Sequence, residues 1–245
     1  MEKSHWQEGG CDYALYRPTY PSSLAESLAE ISPNRSLTLD VGCGTGQLTA
    51  LLADHFEVVV GCDVSSDQLK NAVKRPNITY KIGSAEKIDV QDNCADLIVA
   101  AQAAHWFDLP AFYNEARRIG REGAAIALVT YGVFEVEGPA SARVNRLYWE
   151  DIHSFWPKGR ENVENGYRDF NFPFEKIATP RLNIEREWGV DHFINYCETW
   201  SAAKRAKAAG RSDIMKNAAA DLKDILGDDG TMSIRWPISI RAGRL

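Results

Sequence analysis

The run Leu37-Thr38-Leu39-Asp40-Val41-Gly42-Cys43-Gly44-Thr45-Gly46 constrains this chain more than any other stretch. A strand-like apolar segment with an acid near its end meets three glycines at alternate positions. The run Gln47-Leu48-Thr49-Ala50-Leu51-Leu52 then reads as a helix. Glycine permits φ > 0 and lets a ligand approach main-chain N–H groups that a Cβ would shield. The following helix brings its unpaired N–H groups and the positive end of its dipole to the same place. Strand, glycine loop and helix together point to a nucleotide-type cofactor. In a dinucleotide fingerprint the third glycine comes three places after the second. Here Gly46 comes two places after Gly44, which makes a nicotinamide oxidoreductase a distant reading.

Around this loop, β-like and helix-like segments alternate, the signature of βαβ units and a parallel sheet. Strands are expected at 37–41, 57–62, 78–82, 95–101 and 124–131, and helices at 21–31, 47–55, 65–74 and 110–120. Pro21 sits at an early helical position and Ser65 is placed as an N-cap. After Tyr131 the alternation stops, and residues 132–174 mix glycine, charges and aromatics, with a short helix expected near 141–155. Those aromatics read either as pocket walls or as a local core. A strand at 181–188, helices at 191–209 and 212–226, the second capped by Ser212, and a strand at 232–240 complete the pattern. A chain of 245 residues that is 44% hydrophobic buries one substantial core.

A formal net charge of −6 argues against a nucleic-acid partner, which needs clustered Lys and Arg. Lys204, Arg205 and Lys207 read as one solvated helix face. Cys11, Cys43, Cys62, Cys94 and Cys197 are odd in number and lack C-x-x-C spacing, so they read as buried fillers in a reducing compartment. The first residues carry no apolar signal run, and no apolar stretch is long enough to span a bilayer. A cytoplasmic protein without a membrane partner is expected, a monomer in preference to an oligomer.

Further positions repeat the cofactor theme. Asp63, at the end of the apolar run 58–62 and about 20 residues past the glycine loop, is placed where an acid can take ribose hydroxyls; a turn or helix-cap acid is the alternative. Gly83-Ser84-Ala85-Glu86 follows the third strand, and Asp96 to Phe107 spans the fourth strand and the residues beyond it, with Asp96 at its structural end. Tyr13-Ala14-Leu15-Tyr16-Arg17-Pro18-Thr19-Tyr20-Pro21 precedes the first helix.

In this order the segments resemble the class I S-adenosylmethionine-dependent methyltransferases, within the methyltransferase type 11 group. The D-x-G-x-G-x-G pattern is similar to their motif I. The YRPxYP segment resembles a subgroup that includes the trans-aconitate methyltransferase-like proteins. The resemblance covers roughly residues 4–131 and is specific for cofactor and fold, not for acceptor. It implies an α/β, Rossmann-like doubly wound fold: a mostly parallel seven-stranded sheet with an antiparallel C-terminal edge strand and an inserted cap. A single domain 1–245 would comprise an N-terminal helix 10–32, a cofactor-binding core 33–131, a cap 132–176 and a C-terminal part 177–245.

For S-adenosylmethionine the resemblance implies that Tyr16, Arg17 and Tyr20 close over the methionine portion. Arg17 offers a guanidinium fork to its carboxylate. Gly42, Gly44, Thr45, Gly46 and Gln47 would wrap the cofactor, with Asp63, Val64 and Gln68 at the ribose. Ser84, Ala85 and Glu86 would edge the adenine, and Ala101 and Gln102 the sulfonium methyl. His105, Trp106 and Tyr131 are the candidates facing the acceptor, His105 and Trp106 each also readable as structural. Methyl transfer from a sulfonium needs no protonated leaving group, so positioning and desolvation supply much of the catalysis. A small-molecule acceptor is expected. A carboxylate acceptor would need no base and would favour cap arginines such as Arg143, Arg146, Arg160 and Arg168; a hydroxyl or amine would favour His105 as base, then Tyr131. A protein or RNA methyltransferase and a non-catalytic S-adenosylmethionine-binding protein are the alternatives. No local cluster of acids and histidines implies a metal.

Overall fold

The computed structural model describes residues 16–245; Cys11, Tyr13 and the start of the expected 10–32 helix lie outside the described residues. The first described helix, α1 (Ser22–Ile31), follows Pro21, which stands at the N-cap in extended backbone where a missing N–H costs nothing. Its Leu24, Ala25, Leu28 and Ala29 form one buried stripe. Then come β1 (Leu37–Val41), α2 (Gln47–Leu52), β2 (Val58–Asp63), α3 (Ser66–Lys70), β3 (Ile78–Ile82), β4 (Ala95–Ala101), α4 (Leu109–Ile119) and β5 (Gly120–Tyr131). These five strands pair in parallel in the order β3-β2-β1-β4-β5. Ser65 caps α3 through Gln68 N–H, and Asp108 caps α4 through Ala111 N–H. Asp96 accepts the N–H groups of Ser36 and Leu37 and pairs with Arg121, a structural role at the start of β4.

Beyond Tyr131 come β6 (Glu135–Val136), α5 (Ser141–Arg146), α6 (Arg160–Glu164), β7 (Glu175–Ile177), β8 (Leu182–Gly189), α7 (Val190–Glu198), α8 (Ser201–Ala208), α9 (Asp213–Leu226) and β9 (Thr231–Arg244). Ile238 of β9 pairs with Tyr131 on one side and with Leu182 on the other. The nine strands of the sheet therefore occupy seven positions: β6 continues the line of β5, and β7 that of β8. The antiparallel C-terminal strand lies inside the sheet and β8 forms the edge, which corrects the expected placement. Burial explains it, because Met232, Ile234, Trp236 and Ile238 alternate along β9 and all need cover. Pro237 falls opposite the break between β5 and β6, where the ladder is already interrupted.

The inner parallel strands β1 and β4 are buried on both faces. Leu97 and Val99 of β4 join a core with α1, α2 and α7 to α9, whereas Ile98 and Ala100 join one with α4 and residues 163–174. Most aromatics after Tyr131 belong to these cores. Phe134 packs 5.7 Å from Trp236 and 5.9 Å from Trp200, and Tyr148 lies 5.7 Å from Trp200. The expected helix over 191–209 is broken at Thr199 and Trp200, because Trp200 turns to extended backbone to bury its indole. Ser212 precedes α9 in helical backbone and makes no side-chain cap.

Candidate active site

Strand order reverses between β1 and β4, so the loops leaving their carboxyl ends diverge and open a crevice. A cavity of about 300 Å³ lies there, bounded by the loop after β1, the end of β2, the turn after β4, and Arg17, Tyr20 and Tyr131. Gly42, Gly44 and Gly46 all take positive φ (72°, 56° and 78°). Their lack of a Cβ serves packing as much as ligand approach. A Cβ on Gly42 would collide with Ala103 Cβ, one on Gly44 would lie 2.8 Å from Gln68 Oε1, and one on Gly46 would strike the Tyr80 hydroxyl. Gly42 and Cys43 donate to Cys62 O (2.7 and 3.1 Å), and Gly44 donates to Asp63 Oδ2 (2.9 Å). Those N–H groups lock the loop onto β2 and are not left for a ligand, a correction to the simplest reading of the glycines. Gly42, Gly44, Thr45 and Gln47 line the cavity; Gly46 faces Tyr80 instead.

Asp63 also accepts Ser65 N–H at 2.8 Å, so it is both a cavity wall and the clasp between two loops. A carboxylate oxygen with one such bond keeps a further acceptor site, so both roles are compatible. Val64 and Gln68 line the same wall. Asp40, absent from the residues expected to touch cofactor, is 1% exposed yet borders the cavity. Its Oδ2 accepts the Thr49 hydroxyl at 2.6 Å, while Oδ1 has no partner. Burial, with the negative charge of Asp63 adding and the Thr49 hydrogen bonds opposing, raises its pKa to about 6. An orphaned carboxylate oxygen on a residue that borders a cavity asks for a donor or a cation. S-adenosylmethionine, with its ammonium, ribose hydroxyls and adenine, fits that donor set: Asp40 and Asp63 would hold it on one side and Arg17 on the other. The signal for Asp40 was its place directly before the glycine loop.

At the far end, Gln102 takes φ 52°. Its Nε2 donates to Tyr131 O (2.8 Å), and its Oε1 accepts the Thr130 hydroxyl (3.0 Å). Ala101, Gln102, Trp106 and Tyr131 line the cavity; Tyr20 meets Tyr131 edge-on at 5.9 Å, and Trp106 is 57% exposed. Trp106 is therefore not the core residue its alternative reading made it. Arg17 borders the cavity while Nε donates to Thr199 Oγ1 (3.0 Å) and the guanidinium lies 5.6 Å from the Tyr196 ring.

Four expected residues stand off the cavity wall in addition to Gly46. Tyr16 packs on His192 at 5.4 Å. Ser84 forms a turn with Lys87, and Glu86 accepts Asp108 N–H, so Gly83 and Ala85 present the wall in their place. His105 points to the Tyr167 hydroxyl (Nδ1···O 2.7 Å), and burial, with the charge of Arg160, lowers its pKa to about 4, leaving it neutral. Cys43, Ser65, Ala103 and Phe107 also line the wall; burial raises the Cys43 thiol and keeps it un-ionised. The four arginines considered for a carboxylate acceptor are engaged elsewhere, Arg143 with Asp151 and Asp221, Arg146 with Glu150 and Asp151, Arg160 with Tyr148 and Glu164, and Arg168 with Asp169. Among the described residues no helix is long and apolar enough to cross a membrane.

A family model described as "Methyltransferase domain" matches residues 39–128, from β1 through most of β5. The chain is similar to a methyltransferase-family protein of Dictyostelium discoideum, 32% identical over 234 residues and covering 92% of this chain and 89% of the relative. A methyltransferase-like protein of Schizosaccharomyces pombe is 30% identical over 69% of this chain and 70% of its own length. The solved structure of a type II methyltransferase candidate from Anaeromyxobacter dehalogenans superposes with a TM-score of 0.88 at 40% identity, over 94% of this chain and 98% of that one. With the glycine loop, both acids and the strand order in place, and with similarity running through nearly the whole length, the chain belongs to the class I S-adenosylmethionine-dependent methyltransferases.

Proposed function

We propose that the enzyme methylates a small-molecule acceptor. The observation that carries this reading is the crevice of about 300 Å³ beyond the ends of β1, β2 and β4, whose acid and glycine walls suit the cofactor and whose other end is framed by Tyr20, Trp106 and Tyr131. Small-molecule sites are built this way, from aromatic walls and a few placed polar groups. S-adenosylmethionine, when bound, supplies an electrophilic methyl group. Asp63 and Asp40 orient it, Arg17 takes its carboxylate, and Gln102 with Tyr131 sets the edge past which the acceptor arrives. We assign residues 33–131 to the cofactor-binding core and 132–176 to a cap. Arg17 is the one Lys or Arg on the cavity wall among the described residues, so a carboxylate acceptor would have to share it with the cofactor. An acceptor hydroxyl or amine on an apolar body suits the aromatic rim better, with neutral His105 nearby as base. The test is to incubate the protein with methyl-labelled S-adenosylmethionine and, separately, a metabolite pool, total protein and total RNA. Label in the metabolite fraction is expected; label confined to protein or RNA overturns the reading.

Asp40 gives a further expectation. Its folded pKa stands above the ordinary 3.8, so ionising it costs the cofactor-free protein stability. That cost grows as pH rises from 3.8 to about 6 and is complete at pH 7, on the order of 3 kcal/mol. A cationic ligand group against Oδ1 relieves it. Affinity for S-adenosylmethionine should therefore fall as pH drops through about 6. Asp40→Asn should raise the melting temperature of the free protein, weaken cofactor binding about tenfold or more, and abolish the pH dependence. A melting curve checks the first, and calorimetric titration from pH 5 to 8 the other two.

A further inference from the structure

Among the described residues three threonines are wholly buried, Thr38, Thr49 and Thr130. Burying a hydroxyl is unfavourable unless it is bonded, so the partner of each is informative. Thr38 Oγ1 donates to a main-chain carbonyl, Leu97 O, at 3.2 Å, a tie between neighbouring strands. Thr49 and Thr130 donate instead to side chains that line the cavity, Asp40 Oδ2 at 2.6 Å and Gln102 Oε1 at 3.0 Å. The bond to Asp40 is the shorter, as expected where the acceptor is a carboxylate.

Thr49 is the third residue of α2. A helical threonine ordinarily turns its hydroxyl to the carbonyl three or four residues back. Here the glycine loop folds so that the hydroxyl reaches a carboxylate nine residues earlier, near the end of β1. An ionised carboxylate only accepts, so at neutral pH the proton in this bond belongs to Thr49. Its single O–H is spent on Oδ2. Oδ1 is left without a partner, on a residue that borders the cavity and is itself buried. Valine has nearly the same shape, so filling this space does not by itself call for a hydroxyl.

We infer that Thr49 is a positioning residue for cofactor binding: its hydroxyl holds Asp40 Oδ2 and keeps Oδ1 as the oxygen left for a donor on the ligand. The inference rests on the reading of Asp40 as a cofactor contact, whereas the hold on the carboxylate is measurable without any ligand. The bond favours the charged form of Asp40, opposing burial and the negative charge of Asp63, which raise its pKa to about 6. Further titratable groups near the carboxylate are Cys43 of the glycine loop, Cys62 of β2 and Tyr80 of β3, with Arg17 also on the cavity wall. Burial raises both thiols and the phenol, which stay un-ionised between pH 5 and 8, and the guanidinium stays charged. Over that range their charges are constant, so a change in the titration of Asp40 on losing the hydroxyl reports the bond itself.

The experiment compares the full chain as wild type, Thr49→Val, Thr49→Ser and Thr38→Val. Carbon-13 NMR of the aspartate carboxyl groups, with the Asp40 signal assigned through Asp40→Asn, gives its midpoint without ligand. Titration calorimetry with S-adenosylhomocysteine from pH 5 to 8 gives the affinity. Thr49→Val should raise the Asp40 midpoint by about one pH unit. The ratio of variant to wild-type Kd, in which the ligand's own titration cancels, should climb from about twofold or less at pH 8 toward about tenfold at pH 5. Thr49→Ser should restore both values. Thr38→Val removes a buried hydroxyl two residues from Asp40 and should move neither. An unchanged midpoint in Thr49→Val, or an equal shift in Thr38→Val, overturns the inference. So does a Kd ratio that is the same at every pH, the mark of a merely structural role. A shifted midpoint beside wild-type binding that ignores pH places the failure in the cofactor reading of Asp40, and the inference falls with it.

Discussion

Asp63→Ala is expected to weaken S-adenosylmethionine binding by about 100-fold or more, and to loosen the glycine loop while the sheet stays folded. The size follows from two losses at one residue. The cofactor loses an acceptor for its ribose hydroxyls, and the N–H groups of Gly44 and Ser65 lose the carboxylate that clasps them at 2.9 and 2.8 Å. Removing one partner of a part-buried hydrogen bond costs roughly 1–3 kcal/mol, more when the partner is charged. Asp63→Asn is nearly as harmful, because its amide must present an NH₂ to one of two N–H donors. Titration calorimetry with S-adenosylhomocysteine measures the affinity, and circular dichroism the fold. An Asp63→Ala protein that binds as well as wild type contradicts both assignments.

Gly42→Ala should lower the melting temperature and weaken cofactor binding together. A Cβ at this position would collide with Ala103 Cβ, an atom fixed to backbone, and φ is 72°. The left-handed conformation costs an L-residue roughly 1–2 kcal/mol, and the forced contact about 1–3 more. Gly210→Ala is the control: its φ is 79° but nothing lies within 4 Å, so only the conformational part is paid. Adding Ala103→Gly to Gly42→Ala should recover the contact part and with it most cofactor binding. Melting temperatures of the four proteins check this, and a double variant no better than Gly42→Ala would show that the two loops do not meet as described.

The legibility of this chain divides along the sheet. Strands buried on both faces are apolar runs, so β1 and β4 begin and end where the sequence puts them, and the edge strand β3 keeps its expected bounds although it is half exposed. After Tyr131 the sequence signal fades for a physical reason. Phe134, Tyr148 and Trp200 pack across elements far apart in the chain, and their aromatic character says that they are buried without saying against what. The interior position of β9 depends on its pairing with β8, which no local pattern encodes. Within the site, the glycines and Asp63 were readable because motif spacing reflects local geometry. Asp40 was visible but undervalued, since its meaning lies in an unpaired oxygen. His105 was singled out in the sequence, yet its partner Tyr167 arrives from the segment after α6 and leaves no trace in sequence spacing.

The most direct test of the account is a crystal structure with S-adenosylhomocysteine bound. The ribose hydroxyls should lie on Asp63, the ammonium on Asp40 Oδ1 and the carboxylate on Arg17, with the sulfur directed toward Gln102 and Tyr131. A product molecule seated elsewhere, or one that leaves Asp40 Oδ1 without a partner, would contradict the site as assigned.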